Sequence, residues 1–229
     1  MKKLILTLSV FAVTSVFAQK NVNLVPASGL VLTAPKTTNA IQPINKVINT
    51  LWTDDFTNPA TWTIDNSGQT GATFGWNINA TSQGWWSPNG ISANGTSGGN
   101  NAELVNGNPT LQPGTQALGV IYTLTTANPI DIASLGGTNQ VSLQFKQFGA
   151  RFNDLQEIQI SIDGTNFITV GDNLDRDVLS QSGGAAYPNP ETKIINLATT
   201  LSANPTSVWI RFRWTTNFPG SATNPNVWV

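Results

Sequence analysis

The strongest constraint on the fold of this chain is a two-residue period of apolar side chains that begins near residue 51. In "SVWIRFRWTT", Val208, Ile210, Phe212 and Trp214 share one face, because side chains two apart along a strand point the same way. The runs "TFGWNIN", "NQVSLQF" and "LQEIQISI" alternate in the same manner, with Gly, Asn and Pro clusters between them. No run has the length and period of an ordinary helix. The pattern predicts an all-β fold, an antiparallel β-sandwich in which each strand buries one face.

The same counting predicts the core-facing residues of three further strands. They are Phe74, Trp76 and Ile78, then Val141, Leu143 and Phe145, then Ile158, Ile160 and Ile162. Asp163 and Gly164 follow the last strand and tolerate positive φ, which predicts a tight hairpin turn.

Trp85 and Trp86 follow the strand that carries Trp76. Because they are adjacent, they point to opposite sides of an extended segment and cannot both enter one core. We expect one ring to close an edge of the sandwich. The other is either a ligand-contacting loop residue or a lid over that edge.

The first eighteen residues have the organisation of a cleaved signal peptide. Lys2 and Lys3 precede the apolar run from Leu4 to Phe17, and small residues precede Gln19. The run is shorter than the roughly 18 residues that a membrane span needs, so we expect no membrane insertion. The predicted organisation is a signal peptide at 1–18, a linker or irregular segment at 19–50, and a sandwich domain at 51–229. The expected destination is secretion or the cell surface.

Composition excludes several kinds of chemistry. The chain has no Cys and no His, which removes disulfides, thiol nucleophiles and histidine-based catalysis or zinc binding. Without Lys2 and Lys3, nine basic side chains face twelve acidic ones. This balance gives no electrostatic footprint for nucleic acid or anionic lipid.

Several stretches resemble one group of bacterial modules. "LWTDDFTNPATWTIDNSG" is similar to the opening of jelly-roll, MAM-like or concanavalin A-like domains in proteins exported by Bacteroidota, and "IQISIDGTNFITVGD" resembles a hairpin of the same group. The resemblance covers roughly residues 51–229 and implies a jelly-roll sandwich. It also implies a non-catalytic appendage that binds carbohydrate, protein or a cell surface.

Domains of this group usually carry an acidic closing strand after an aromatic strand, and the sequence stops at Val227 to Val229. We therefore expect a domain truncated at its C-terminal strand within a longer protein. A short edge strand at these residues is the alternative.

Paired carboxylates are the catalytic option that the composition leaves. Asp54 and Asp55 are adjacent and point to opposite faces of a strand. Glu157 and Asp163 are six residues apart, about 20 Å along an extended strand. We therefore expect no enzyme, although a glycan-degrading enzyme or its accessory domain remains the alternative.

The segment "GDNLDRDVL" is the densest acidic stretch. Asp172, Asp175 and Asp177, with the amide oxygen of Asn173, are candidate ligands of a structural calcium ion. The spacing is not that of an EF-hand, and Arg176 supplies a counter-charge within the group. A polar loop after a hairpin is the alternative.

Trp209, Arg211 and Arg213 alternate on the face opposite the apolar row of residues 207–215. If this strand lies beside residues 141–148 and 157–163, its neighbours would include Gln144, Lys146, Gln159 and Ser161. An aromatic ring flanked by guanidinium and amide groups can stack on a sugar and bind its hydroxyls. The alternatives are a solvent face on which Arg covers Trp, or a Trp buried beneath the linker.

These features favour a secreted, non-catalytic module for binding or adhesion. The predicted partner is a carbohydrate or a cell-surface protein, bound by Trp209, Arg211, Arg213 and Gln144, with Trp85 and Trp86 as loop contacts. Besides the glycan-degrading enzyme, a second alternative to the binding module is a structural spacer domain of a large surface adhesin.

Overall fold

A computed structural model describes residues 50–67, 74–79, 100–107, 119–135, 141–180, 183–217, 220 and 226–229, all within the compact unit Asn49–Val229. The predicted signal peptide at 1–18, residues 19–49 of the predicted linker, and Trp85 and Trp86 lie outside the described residues. No helix in the described ranges is both long enough and apolar enough to cross a membrane.

The described part contains eleven strands and two short 3₁₀ turns, at Pro59–Thr61 and Ala133–Leu135. The strands are β1 (Trp62–Asp65), β2 (Phe74–Asn79), β3 (Asn101–Asn106), β4 (Ile121–Thr126), β5 (Ile130–Asp131), β6 (Ser142–Gln147), β7 (Leu155–Ser161), β8 (Ile168–Asp172), β9 (Glu191–Asn196), β10 (Ser207–Thr215) and β11 (Asn226–Trp228).

The first layer is a six-stranded antiparallel sheet in the order β1-β4-β10-β7-β8, in which β5 pairs with the start of β10. The long strand β10 lies in the middle, with β4 on one side and β7 on the other. The pairing with β4 and β7 therefore determines which side chains lie beside those on the outer face of β10.

The second layer combines β11-β3-β2 with the pair β6-β9. The two groups are joined where Phe148 and Val229 exchange backbone hydrogen bonds of 2.8 and 2.9 Å, beside a bridge between Gly149 and Trp228. The strand at Asn226–Trp228 therefore has backbone partners on both sides, since it also pairs with β3. β11 is nevertheless a three-residue strand at the end of the order β11-β3-β2, as the short-edge-strand alternative expects.

Aromatic rings fill the space between the layers. The ring of Phe212 lies 5.2 Å from that of Phe145 on β6 and 5.8 Å from that of Trp228 on β11, measured between centroids. Trp76 is buried in the same core, as predicted. Burying a side chain such as Phe212 contributes about 1.5–3 kcal/mol to stability. The structure is therefore an antiparallel β-sandwich, whereas the jelly-roll connectivity stays a prediction.

The predicted core rows are confirmed for the described strand side chains and wrong at one strand end, whereas the side chain of Phe74 lies outside the description. Val208, Ile210, Phe212 and Trp214 are all buried, and Val141, Leu143 and Phe145 pack against the core. Ile158 and Ile160 are also buried. Ile162 is 46% exposed, because β7 ends at Ser161 and the next residue already belongs to the loop.

The connection between β7 and β8 is the six-residue hairpin loop 162–167, longer than the tight turn that the sequence predicted. Gly164 has a φ of +75°, the left-handed conformation expected of it. Asp163 Oδ1 accepts hydrogen bonds from the backbone N–H groups of Thr165 and Asn166 at 2.8 and 2.7 Å. These bonds connect the Asp163 carboxylate to the backbone of its own loop.

A buried carboxylate joins the two layers at one end of the sandwich. Asp154 Oδ2 accepts hydrogen bonds from the side-chain amides of Asn106 on β3 and Asn226 on β11, both at 3.2 Å. Its Oδ1 accepts one from the backbone N–H of Asn217 at 2.6 Å. Because Asp154 is 1% exposed, these donors replace the water that the carboxylate loses on folding.

Candidate functional site

The predicted row of Trp209, Arg211 and Arg213 lies on the outer face of the six-stranded sheet. Along β10 the even-numbered side chains are buried and the odd-numbered ones are partly exposed. We call the surface formed by these three residues and their contacts on β4, β7 and the hairpin loop the arginine face.

Two of the four predicted neighbours lie beside this row. Ser161 is the register partner of Trp209 and Gln159 that of Arg211. The other side of β10 is occupied by β4, where Thr125 pairs with Arg211. The sequence did not predict this strand as a neighbour, although "IYTLTT" carries the same alternation.

Gln144 and Lys146 are not part of the arginine face. Their strand, β6, pairs with β9 in the second layer, and its Leu143 and Phe145 pack against the core. Gln144 and Lys146 are therefore exposed on the outer surface of the opposite layer. The structure thus separates Gln144 from the predicted binding residues.

Trp209 is half-buried beneath the hairpin loop. A Cβ atom placed on Gly164 would lie 3.2 Å from Cε2 and Cζ2 of the Trp209 ring. A side chain at residue 164 would therefore require the Trp209 ring to move by a few tenths of an ångström. The ring is therefore partly covered by the hairpin loop 162–167, and part of its surface remains for a ligand.

Arg211 lies over an aromatic ring, Phe167, that the sequence did not indicate. Its guanidinium carbon lies 3.4 Å from the centroid of the Phe167 ring, and its Nε donates a hydrogen bond to Thr125 Oγ1 at 3.0 Å. Partial burial lowers the pKa of Arg211, and the charge of Arg213 lowers it further, whereas Asp65 raises it. One alternative from sequence was an Arg that covers a Trp, and the structure has Arg211 over Phe167.

Arg213 is neutralised by a carboxylate on the neighbouring strand. Its Nη1 donates to Glu157 Oε2, and Glu157 Oε1 accepts from Thr169 Oγ1 at 2.7 Å. Gln159 Nε2 in turn donates to Thr169 Oγ1 at 3.2 Å. Glu157, which the sequence offered as a catalytic candidate, is therefore the partner of Arg213 in a network that spans β10, β7 and β8.

The other carboxylates considered for catalysis have local partners. Asp54 Oδ1 accepts hydrogen bonds from the backbone N–H of Phe56 at 2.7 Å and from Trp62 Nε1 at 3.1 Å. Asp55 and Asp163 accept bonds from nearby backbone N–H groups, and those of the hairpin loop hold the pKa of Asp163 below its usual range. These bonds connect each carboxylate to its own loop.

The described carboxylates of the acidic loop do not form a cluster. In the described ranges, no three Asp or Glu side chains are close enough to share a metal ion. Arg176 forms an ion pair with Glu191 and lies 3.8 Å from Asp175. Asp172, Asp175 and Asp177 therefore offer no converging carboxylates for the predicted calcium ion.

Comparison with known proteins adds no relative to this picture. No protein-family model, curated protein or solved structure matches the chain. The resemblance to MAM-like modules therefore stays an expectation from sequence.

Proposed function

We propose that this chain is a secreted, non-catalytic module that binds a glycan or a cell-surface partner through the arginine face. The observation that carries the proposal is the position of Arg211, which lies over the Phe167 ring and two residues from the partly exposed Trp209. Guanidinium groups beside aromatic rings suit sugars, because the rings pack against C–H groups while the guanidinium binds hydroxyl or acidic oxygens.

The arginine face is organised before any ligand arrives. Arg211 is fixed by Phe167 and Thr125, and Arg213 is fixed by Glu157. Ordering a long side chain on binding costs roughly 0.5–1.5 kcal/mol, so side chains that are already ordered lose less entropy. This organisation favours a binding role over a purely solvated surface.

The proposed location rests on the N-terminal sequence. Lys2, Lys3 and the apolar run that follows have the pattern of an export signal. The scarcity of basic side chains argues against nucleic acid as a partner. An exported module with a polar sheet face fits a glycan or a cell-surface protein.

The proposal is tested by glycan-array binding of the chain without residues 1–18. Phe167→Ala and Arg211→Gln should each weaken the strongest array signals about tenfold or more, since each removes part of the arginine face. Lys146→Gln is the matched control, because it removes one positive charge from the opposite layer. Thermal melting of every variant separates loss of binding from loss of folding.

Two results would count against the proposal. The first is an array and a cell-surface binding assay that give no signal with the folded chain, which would favour the spacer alternative. The second is unchanged binding by both arginine-face variants, which would place the ligand elsewhere.

One observation keeps the enzymatic alternative open. Glu157 and Asp172 are register partners across β7 and β8. The Cβ atoms of such pairs are about 4.5–5.5 Å apart, near the roughly 5 Å carboxylate separation of retaining glycosidases. Against catalysis, both oxygens of Glu157 accept hydrogen bonds, from Thr169 and Arg213, and Asp172 Oδ1 accepts one from Leu174 N.

The enzymatic alternative is tested by reducing-sugar release from any glycan that binds. Turnover that disappears in both Glu157→Gln and Asp172→Asn, with binding retained, would replace the binding module by a glycosidase. Binding without turnover supports the non-catalytic assignment.

A further inference from the structure

We infer that the ligand of the arginine face is a negatively charged glycan, a uronate- or sulfate-bearing polysaccharide whose anionic group binds Arg211. This inference rests on the proposed function and adds the chemical class of the ligand. The shared chemistry is a singly charged group that presents two oxygen atoms to one guanidinium.

The positive charges of the arginine face are not fully paired. Of its two guanidinium groups, that of Arg213 is paired with Glu157. No described carboxylate lies within ion-pair distance of Arg211. Asp65 acts on Arg211 only at longer range, and its Oδ1 accepts a hydrogen bond from Ser67 N at 2.8 Å. One positive charge on this face therefore has no direct counter-ion among the described residues.

The contacts of the Arg211 guanidinium leave its two terminal nitrogens available. Phe167 covers one face of the group and Thr125 accepts from its Nε. Within the described part of the chain, Nη1 and Nη2 have no hydrogen-bond acceptor. Two adjacent N–H donors in a fixed plane match two oxygens of a carboxylate or sulfate, which gives a bidentate pair.

The ring of Trp209 favours a glycan over an acidic peptide. Trp209 lies two residues from Arg211 on the same face, and its partly covered ring offers an apolar surface. Such a surface suits the C–H face of one sugar ring. The whole chain carries a slight negative charge, so its overall electrostatic field does not attract an anion. An anionic glycan would therefore be held by a local contact with Arg211.

The test uses two matched pairs of polymers in isothermal titration calorimetry. The first pair is polygalacturonate and its fully methyl-esterified form, and the second is dextran sulfate and dextran. The chain without residues 1–18 should bind the acidic member of at least one pair about tenfold or more tightly than the neutral member. Arg211→Gln should remove the preference, and Lys146→Gln should keep it.

Arg211→Lys gives a further readout. Lys keeps the charge but lacks the planar fork, so the preference should fall to an intermediate value. A structural role alone predicts equal losses for the acidic and neutral polymers. Thermal melting confirms that each variant is folded.

Each remaining outcome decides between the two proposals. Equal binding within both pairs, or array binding to neutral glycans only, overturns the anionic inference and leaves the proposed function standing. An acidic preference that survives in Arg211→Gln overturns the role of Arg211. Binding to acidic proteins without any glycan overturns the inference, and binding to nothing overturns both proposals.

Discussion

The ion pair of Arg213 and Glu157 allows the electrostatics of the arginine face to be measured without a ligand. Exposed pairs contribute about 0.2–1 kcal/mol, whereas breaking a buried pair costs about 3–5 kcal/mol. The side chains of Arg213 and Glu157 are 26% and 10% exposed, so the pair lies between these limits. We expect a coupling energy of about 1–2 kcal/mol in a double-mutant cycle of Arg213→Gln and Glu157→Gln.

The two single variants should differ. Arg213→Gln leaves the more buried Glu157 with one remaining donor, Thr169, and should reduce the free energy of unfolding by about 2–3 kcal/mol. Glu157→Gln keeps an oxygen for Thr169 and leaves Arg213 able to reach water, so the loss should be about 1 kcal/mol.

The assay is equilibrium unfolding in urea of the parent chain and the three variants, each without residues 1–18. A fluorescence transition that coincides with the circular dichroism transition shows that each chain unfolds in one step. A coupling energy below about 0.3 kcal/mol, or a larger loss in Glu157→Gln than in Arg213→Gln, would refute this reasoning.

Three further predictions concern stability. Gly164→Ala should destabilise the chain by about 1–2 kcal/mol and alter Trp209 fluorescence, because residue 164 has a positive φ and its new Cβ would contact the Trp209 ring. The change is measured by thermal melting. Gly183→Ala is the control, because the space around Gly183 is open. The pKa of Asp163 is lowered in the folded chain, so the contribution of this carboxylate to stability is complete above about pH 4 and is lost as the pH falls below that value. In Asp163→Asn, the melting temperature should therefore depend less on pH below about pH 4. Asp154→Ala should cost about 3–5 kcal/mol in urea unfolding, because it removes the acceptor of hydrogen bonds from Asn106, Asn226 and the backbone of Asn217, and a loss below about 1 kcal/mol would contradict that role.

The sequence predicted the core because strand geometry alone determines it. A two-residue period assigns Phe212 and Trp214 to one face and Trp209 and Arg211 to the other, and the structure agrees in β10. The same rule failed at Ile162, since a period does not show where a strand ends.

The neighbours of a strand are a different kind of information. Glu157 and Arg213 are 56 residues apart, and nothing within either segment specifies that they pair. Gln144 fits the binding pattern as well as Gln159 does, yet its strand belongs to the other layer. Strand order depends on the packing of the whole sandwich, which one-strand patterns do not contain.

Phe167 shows why the most informative contact of the site was the hardest to predict. It lies in a loop, where no periodicity applies, and its contact with Arg211 joins residues that are far apart in the sequence. The same loop places Gly164 against Trp209 and is held by Asp163.

The arginine face therefore combines two parts with different rigidity. Arg211 lies on a central strand that is hydrogen-bonded on both sides, whereas Phe167 lies on a hairpin loop at one side of the sheet. Sites built on strands are held more closely than sites on loops. The Arg211 guanidinium is therefore held more closely than the Phe167 ring, which can adjust its position. An anion bound to Arg211 would add a counter-charge without separating the ion pair of Arg213 and Glu157. Selectivity for charge should thus come from the strand, and selectivity for the shape of the sugar from the loop.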